Sequence, residues 1–317
     1  MINAILLNPI LNFYSDKNYI DYKAEETCNL ARAINIAVIH KETFALKKAD
    51  PGNLIRKGKI EQIKNILEIL SGNKKIEIMI FCIDLSPIQQ RNLEKIYNLK
   101  VLDKTSLILE IFGERAVSKE GSLQVELAHL NWHRSRLVRS WTHLERQRGG
   151  YGFLGGPGES QIELDKRMID KRIKQLKKMI IKIKKTRNMQ YSNRTKNKVP
   201  VVSLLGYTNA GKSTLFNKLT KLDVSAKNKL FETLDTKTSH FYLPLIKKAY
   251  ISDTVGFISD LPTMLVESFK STLEEINKAD LLIHVRDICS QNTESHKKDV
   301  LKVLEQLKRP DSDLSKN

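Results

Sequence analysis

The residues with the clearest chemical potential form a glycine-rich octapeptide, Gly206–Ser213, which fits the pattern G-x-x-x-x-G-K-[ST] and follows an apolar run, Val201–Leu205. Glycines let a backbone curl so that its N–H groups face phosphates, while Lys212 reaches the β and γ oxygens and the Ser213 hydroxyl ligates Mg²⁺. Thr214–Leu219 then begins a predicted helix, whose N-terminal end attracts anions. This strand–loop–helix context argues against a chance match. We expect nucleotide contacts from Gly206, Tyr207, Thr208, Asn209, Ala210, Gly211, Lys212 and Ser213.

A second phosphate-sensing element follows at the expected spacing, Asp253–Gly256, after the short apolar run Ala249–Ser252. In phosphate-loop proteins such an aspartate holds Mg²⁺, directly or through water, and the glycine N–H meets the γ-phosphate. Between the two elements lies a polar segment, Leu230–Thr236, of the kind that closes over a nucleotide, and Thr233 is our candidate for a second Mg²⁺ ligand. The candidate nucleotide-binding residues of these segments are Phe231, Glu232, Thr233, Leu234, Asp235, Asp253, Thr254, Val255 and Gly256.

The residues before this site predict an N-terminal α/β domain, 1–118, with a mainly parallel sheet, because short apolar runs alternate with helical patterns. We expect strands at Ala4–Leu7, Ile34–Ile39, Ile76–Ile83 and Lys100–Leu102, and helices at Lys59–Leu70 and Pro87–Tyr97. Asp84 and His40 stand alone and are interpreted as structural. The domain is assigned to scaffolding or docking.

Residues 119–198 predict a long antiparallel helical hairpin, because apolar residues recur at alternating spacings of four and three in two successive segments. Its tip loop, 149–158, holds six glycines in ten residues. Aromatic and basic side chains around such a loop suit stacking on the bases of folded RNA and contact with its backbone. A flexible linker is the alternative. The candidate RNA-binding residues are Arg146, Arg148, Tyr151 and Phe153.

The charge distribution supports a polyanionic partner. The formal net charge is +18, and from Asn131 to Pro200 there are 19 Lys or Arg against 5 Asp or Glu, so +14 of it lies in about a fifth of the chain. A basic stripe on one element is typical of nucleic-acid binding, although a solvated helical face enriched by codon bias is the alternative. No apolar run is long enough to span a membrane. We interpret the N-terminus as a strand and not a signal peptide, and expect a cytoplasmic monomer.

The three cysteines, Cys28, Cys82 and Cys289, are far apart in the sequence. Their spacing fits a reducing compartment and does not form a cysteine-ligated zinc site. We expect all three to lie in the core.

Several motifs together resemble the HflX family of ribosome-associated GTPases. They include Gly206–Asn217, Phe231–Asp235 and Asp253–Ile258 in the nucleotide domain, and Leu85–Glu94 and Trp141–Gln147 upstream. The resemblance covers nearly the whole chain. It implies GTP hydrolysis with Mg²⁺, coupled to binding of the large ribosomal subunit, and a role in ribosome splitting, rescue or biogenesis.

Two features qualify that implication. A GTPase needs an [NT]-K-x-D element after its fourth strand, but Asn277–Asp280 precedes the apolar run Leu281–Val285, and Thr220–Asp223 ends the helix after the phosphate loop. The domain at 199–317 is therefore expected to be a partial G domain, truncated after its fourth strand and following helix, with weakened discrimination between GTP and ATP. The alternative function is an RNA-binding protein that has lost nucleotide specificity or hydrolysis.

The second feature is Phe257, which stands where many relatives place a Gln that orients the attacking water. A phenyl ring makes no hydrogen bond. We therefore expect slow intrinsic hydrolysis and no catalytic side chain identifiable from the sequence.

Overall fold

The computed structural model describes residues 2–11, 17–72, 74–140, 161–196, 199–222, 231, 234, 236–243, 248–269 and 276–306. The chain divides into two compact units. One comprises Met1–Ile111 and Leu130–Arg172, and the other comprises Phe112–His129 and Ile173–Asn317. The three-part division at 118 and 198 stays a prediction.

The first unit contains a four-stranded parallel sheet of order β2-β1-β3-β4. Its strands are β1 (Ile2–Ile10), β2 (Ile36–Ala45), β3 (Ile78–Phe81) and β4 (Lys100–Asp103), and the helices that follow them in the chain are α1 (Lys17–Ala33), α2 (Lys57–Ser71), α3 (Pro87–Tyr97) and α4 (Lys104–Arg115). All four predicted strands and both predicted helices are confirmed. A register irregularity between Ala4 and Ile5 interrupts the pairing of β1 with β2.

Alternate residues of each strand bury opposite faces of this sheet, as a parallel sheet covered on both sides requires. Ile5 and Leu7 of β1 belong to one core cluster, with apolar residues of α2 and α3. Ala4 and Leu6 belong to another, with residues of α1 and Leu107 of α4.

Two long helices, α5 (Lys119–Ser140) and α6 (Gln161–Lys196), form the predicted hairpin. Arg134 Nε lies 2.7 Å from Asp170 Oδ1, and Arg187 Nη1 lies 3.0 Å from Glu120 Oε2. Since an early residue of α5 pairs with a late residue of α6, the helices are antiparallel. The tip loop and the four candidate RNA-binding residues lie outside the described part of the chain.

The second unit contains a four-stranded sheet of order β6-β7-β5-β8. Its elements are β5 (Val201–Gly206), α7 (Lys212–Thr220), β6 (Lys237–Phe241), β7 (Ala249–Asp253), α8 (Thr263–Ser268), β8 (Leu281–Val285) and α9 (Thr293–Gln306). Strand β6 is antiparallel to β7, and the other neighbours are parallel. The carboxyl ends of β5 and β7 therefore meet at one edge of the sheet.

The sequence interpretation was wrong about one cysteine. Cys28 and Cys82 are buried, and burial raises the pKa of the Cys82 thiol to about 12, but Cys289 is exposed. Cys289 lies in the exposed turn after β8. Within the described residues, no helix has the length and apolar character needed to cross a bilayer.

Candidate functional site

Glycine is required at both ends of the phosphate loop, for different reasons. Gly206 has φ +153°, and a Cβ built there would lie 2.2 Å from the carbonyl oxygen of Val285 on β8. Gly211 has φ +91° at the residue before α7, a conformation that L side chains rarely adopt. A side chain would clash at Gly206 and would strain the backbone at Gly211, so both glycines favour the turn from β5 into α7.

Lys212 is the first residue of α7, and its ammonium lies inside the loop. Its Nζ donates to the carbonyl oxygens of Gly206 and Tyr207 at 3.1 and 2.7 Å, and only 6% of the residue is exposed. Burial lowers the pKa of Lys212 from 10.5 to about 8, although the negative charge of Asp253 opposes the shift. Carbonyl dipoles orient the ammonium without neutralising it. A bound phosphate would supply the negative charge.

Ser213 and Asp253 bring together the donor atoms expected of a magnesium site. Ser213 Oγ donates to Asp253 Oδ2 at 2.7 Å, and Asp253 is fully buried at the end of β7. Mg²⁺ prefers oxygen ligands and usually binds through one or two protein groups, water and substrate phosphates. A hydroxyl and a carboxylate beside the loop fit that ion. Among the described residues, no group of three His, Cys, Asp or Glu forms a denser metal site.

Gly256 closes the site from the β7 side. A Cβ at Gly256 would lie 2.8 Å from Thr208 Cγ2, 2.9 Å from Thr208 Cα and 3.2 Å from Lys212 Nζ. Two backbone hydrogen bonds hold this segment against the loop, from Phe257 N to Gly206 O at 3.1 Å and from Thr208 N to Phe257 O at 2.8 Å. The Gly256 backbone and the Lys212 ammonium therefore converge on one point.

Three cations lie near His284 of β8, and one of them, Arg286, is paired with Glu294. Burial and the nearby charges of Arg286, Lys297 and Lys212 lower the pKa of His284 to about 4. His284 is therefore neutral near pH 7. Burial, the larger cause, disfavours a charge of either sign there, so only the smaller contribution from the cations would favour an anion.

Three segments of the chain match families of known proteins. Residues 21–113 match the family described as "GTP-binding GTPase N-terminal", residues 115–194 match "GTP-binding GTPase Middle Region", and residues 201–314 match "50S ribosome-binding GTPase". The GTPase HflX of Magnetococcus marinus is 47% identical over 283 residues, which cover 89% of this chain and 65% of the relative. The GTPase HflX of Escherichia coli is 41% identical over 304 residues, covering 96% of this chain and 69% of the relative. The chain belongs to the HflX family.

This chain spans about two thirds of the length of those HflX relatives. A solved structure, "crystal structure of SsGBP and GDP complex", covers 97% of this chain and 79% of its own, with 27% identity and a TM-score of 0.54. The HflX resemblance inferred from the motifs is thus confirmed at the level of family and fold.

Not every residue predicted for an HflX nucleotide site has its side chain at the phosphate loop. Thr254 Oγ1 donates to Leu204 O at 2.7 Å, and Val255 is buried. Phe231 and Leu234 are each 2% exposed, and the Phe231 ring packs edge-on against Phe112. These four side chains stabilise the fold. Any nucleotide contact they make must come from their backbone.

Three of the predicted residues, Glu232, Thr233 and Asp235, lie outside the described part of the chain. In the loop itself, Thr208 is buried, whereas Asn209 is exposed with φ +60° and Ala210 is half-buried. Asn209 is among the residue types that adopt this left-handed conformation most readily.

Phe257 is a core residue of the HflX nucleotide domain. It is 2% exposed and belongs to a cluster with Leu205, Val266 and Val300. The sequence drew attention to Phe257 because a phenyl ring cannot form the hydrogen bond that would orient the attacking water. The sequence did not predict that the ring is packed in the core, because the residues it contacts come from three separate elements, β5, α8 and α9.

Asn277–Asp280 is placed far from any base-reading position. Asp280 exchanges two hydrogen bonds of 2.8 Å with Val201, from its backbone N to Val201 O and from Val201 N to its Oδ2. Val201 is the first residue of β5, whereas the phosphate loop follows the last. Asp280 therefore closes the opposite edge of the sheet.

Proposed function

We propose that this chain binds GTP with Mg²⁺ and hydrolyses it to GDP in the cytoplasm. We further propose that it does so in association with the large ribosomal subunit, during ribosome splitting, rescue or biogenesis. The observation that carries the proposal is the convergence of Lys212, Ser213, Asp253 and Gly256 at the carboxyl edge of the second sheet. Family membership supports it.

The loop residues bind and orient the triphosphate. Backbone N–H groups of the loop face the phosphates, except that of Thr208, which donates to Phe257 O. Lys212 neutralises the β and γ oxygens, and the Gly256 N–H donates to the γ-phosphate. Ser213 and Thr233 would hold the magnesium ion, with Asp253 behind them. When bound, that ion lowers the negative charge on the transferring phosphoryl group.

Hydrolysis requires water to attack the γ-phosphorus while the bond to the β–γ bridging oxygen breaks. The residue after Gly256 does not orient that water, because the Phe257 side chain is buried in the core. We therefore expect slow turnover by the free protein. The ribosome would accelerate it, either by supplying a polar group or by ordering the catalytic segments.

The cationic face of α6 supports an RNA partner. From Lys171 to Lys196 the helix contains no Asp or Glu. Its buried side includes Ile173 and Leu176, and at helical spacing the opposite side carries six exposed cations. We call this set the α6 stripe: Arg167, Lys171, Lys174, Lys178, Lys182 and Lys185.

The nucleotide proposal is tested by calorimetry and by turnover with and without large ribosomal subunits. We expect binding of GTP and GDP with Mg²⁺, slow hydrolysis by the free protein and at least about tenfold acceleration by the subunits. Lys212→Ala should abolish nucleotide binding. Failure of the unaltered chain to bind either nucleotide would refute the proposal. Retained ribosome binding would then support the alternative RNA-binding function.

The RNA proposal is tested by co-sedimentation with large subunits. The triple variant Lys171→Glu, Lys174→Glu, Lys178→Glu should bind RNA at least about tenfold more weakly. Its affinity should also depend less on salt, because fewer phosphate contacts release fewer counterions from the RNA. The matched control changes three exposed lysines of the first unit, Lys57→Glu, Lys74→Glu and Lys75→Glu. Equal losses in both variants would mean that net charge, and not the α6 stripe, governs binding.

A further inference from the structure

Tyr207 belongs to the phosphate loop, but its side chain turns into the protein. Only 5% of the residue is exposed. Its phenol oxygen accepts a hydrogen bond of 2.6 Å from the backbone N–H of Ser259. Its ring stacks on the imidazole of His296, with centroids 3.9 Å apart and planes within 12°. The loop is thereby tied to two other segments.

The bond to Ser259 completes a set of three between the loop and the segment 256–259. Phe257 N to Gly206 O and Thr208 N to Phe257 O supply the other two. The phenol holds the segment three residues beyond Gly256, so Gly256 lies between this anchor and β7. That restraint keeps the Gly256 backbone beside Lys212 Nζ, where both groups can reach the same phosphate.

We propose that Tyr207 is a positioning residue for recognition of the γ-phosphate. The inference rests on the proposed function and adds a residue whose side chain acts through Gly256. A diphosphate is held by the loop alone, whereas a triphosphate also needs the Gly256 N–H at a fixed position. Tyr207 prepares that position before the ligand arrives, so the bound triphosphate orders less of the protein.

His296 fixes the Tyr207 ring. It lies on α9, whose apolar side packs with Phe257 through Val300 and Val303. A stacked imidazole restricts rotation of the phenol about its χ angles and keeps the oxygen aimed at Ser259. Helix α9 therefore helps to position Gly256, through His296 and Tyr207.

The decisive variant is Tyr207→Phe, which keeps the ring and removes the acceptor. We expect the preference for a non-hydrolysable GTP analogue over GDP to fall about three- to tenfold, the worth of one net hydrogen bond. Backbone hydrogen exchange at Ser259 should accelerate at least about fivefold without nucleotide. His296→Leu should change both quantities in the same direction and less. The matched control, Tyr242→Phe, alters a 72% exposed tyrosine after β6 and should change neither.

The outcomes separate this inference from the proposed function. If the unaltered chain binds both nucleotides and Tyr207→Phe keeps the same preference, the inference is overturned and the GTPase proposal stands. If the unaltered chain binds neither nucleotide, the GTPase proposal fails, and exchange at Ser259 alone decides whether Tyr207 positions the segment. Unchanged exchange in both Tyr207→Phe and His296→Leu overturns the inference in either case.

Discussion

Two buried lysines occupy equivalent places in the two sheets, yet their surroundings differ. Lys104 begins α4 directly after β4, and Lys212 begins α7 after the loop that follows β5; each is 6% exposed. Lys104 Nζ lies 2.7 Å from the buried carboxylate of Glu26, whereas Lys212 Nζ contacts two carbonyl oxygens. The first charge is neutralised within the protein. The second is held ready for an anion.

The comparison shows how one sheet edge is built to support the fold and how the other would be suited to a ligand. Around Lys104 the polar groups satisfy one another: Tyr22 donates to Glu26, and Asp103 accepts from Ser106 and Arg136. Around Lys212, Gly256 leaves open a space that a Cβ would fill, since that Cβ would lie 3.2 Å from Lys212 Nζ. A charge becomes a binding group when the fold orients it with dipoles and leaves room for the partner.

The largest expected effect is the loss of stability in Lys104→Met. This change leaves the Glu26 carboxylate, 4% exposed, without its cation, and breaking one side of a buried pair costs about 3–5 kcal/mol. Urea denaturation measures it. The double variant Lys104→Met, Glu26→Leu should recover most of the loss. Nucleotide affinity should not change, and a large change would contradict the assignment of Lys104 to structure.

Lys212→Met is expected to lower nucleotide affinity without lowering stability. Nucleotide affinity should fall at least about 100-fold, because a phosphate loses its buried cation. The fold should be as stable as before or more so at pH 7, since a pKa lowered from 10.5 to about 8 corresponds to about 3 kcal/mol of disfavoured charge. A variant destabilised by several kcal/mol would show that Lys212 is structural after all.

The stability difference between Lys212→Met and the unaltered chain should depend on pH, because burial lowers the pKa of Lys212. Below pH 8 the folded and unfolded chains both carry the proton, so the cost of the buried charge is fully present. Between pH 8 and 10.5 the folded chain loses the proton first, so stability from this group rises with pH. The stability advantage of Lys212→Met should therefore shrink over this window.

The sequence could indicate a candidate phosphate site because the chemistry of such a site is local. Gly206, Gly211, Lys212 and Ser213 lie within one octapeptide, and the apolar runs before and after them define a strand and a helix. It also predicted the strands of the first unit, each of which contains a short apolar run. These signals need no knowledge of which segments pack together.

What the sequence did not predict depends on contacts between distant segments. Glu26 and Lys104 pair across 78 positions, and Tyr207 stacks on a helix that begins at Thr293. Strand β6 is mostly polar and gains its structure by pairing with β7, which no local pattern reveals. The topology had to be known before these partners could be named.

Substituting one glycine in each unit, Gly256 beside the phosphate loop and Gly58 on α2, should have a smaller effect. Gly256→Ala would place a methyl group 2.8 Å from Thr208 Cγ2, so the segment must move away from the loop. Triphosphate affinity should fall about 10- to 100-fold and GDP affinity less, as titration calorimetry would show. Gly58→Ala on α2 is the control: its Cβ meets no atom within 4 Å, and it should stabilise the helix by up to about 1 kcal/mol. Equal losses for the two nucleotides would show that Gly256 does not sense the γ-phosphate.

The smallest expected effect tests whether Asp280 reads a base, as the letters Asn277–Asp280 suggest. Asp280 Oδ2 accepts from Val201 N at the amino end of β5, and at ~3.3 Å per residue the phosphate loop lies about 16 Å further along the strand. Asp280→Ala should therefore lower stability by about 1 kcal/mol, the worth of one hydrogen bond, and should leave the ratio of GTP to ATP affinity unchanged. Thermal unfolding and competition binding measure the two quantities. A selective loss of GTP affinity would require Asp280 to leave its strand-end position, which would in turn require β5 to lose its first hydrogen bond whenever nucleotide binds.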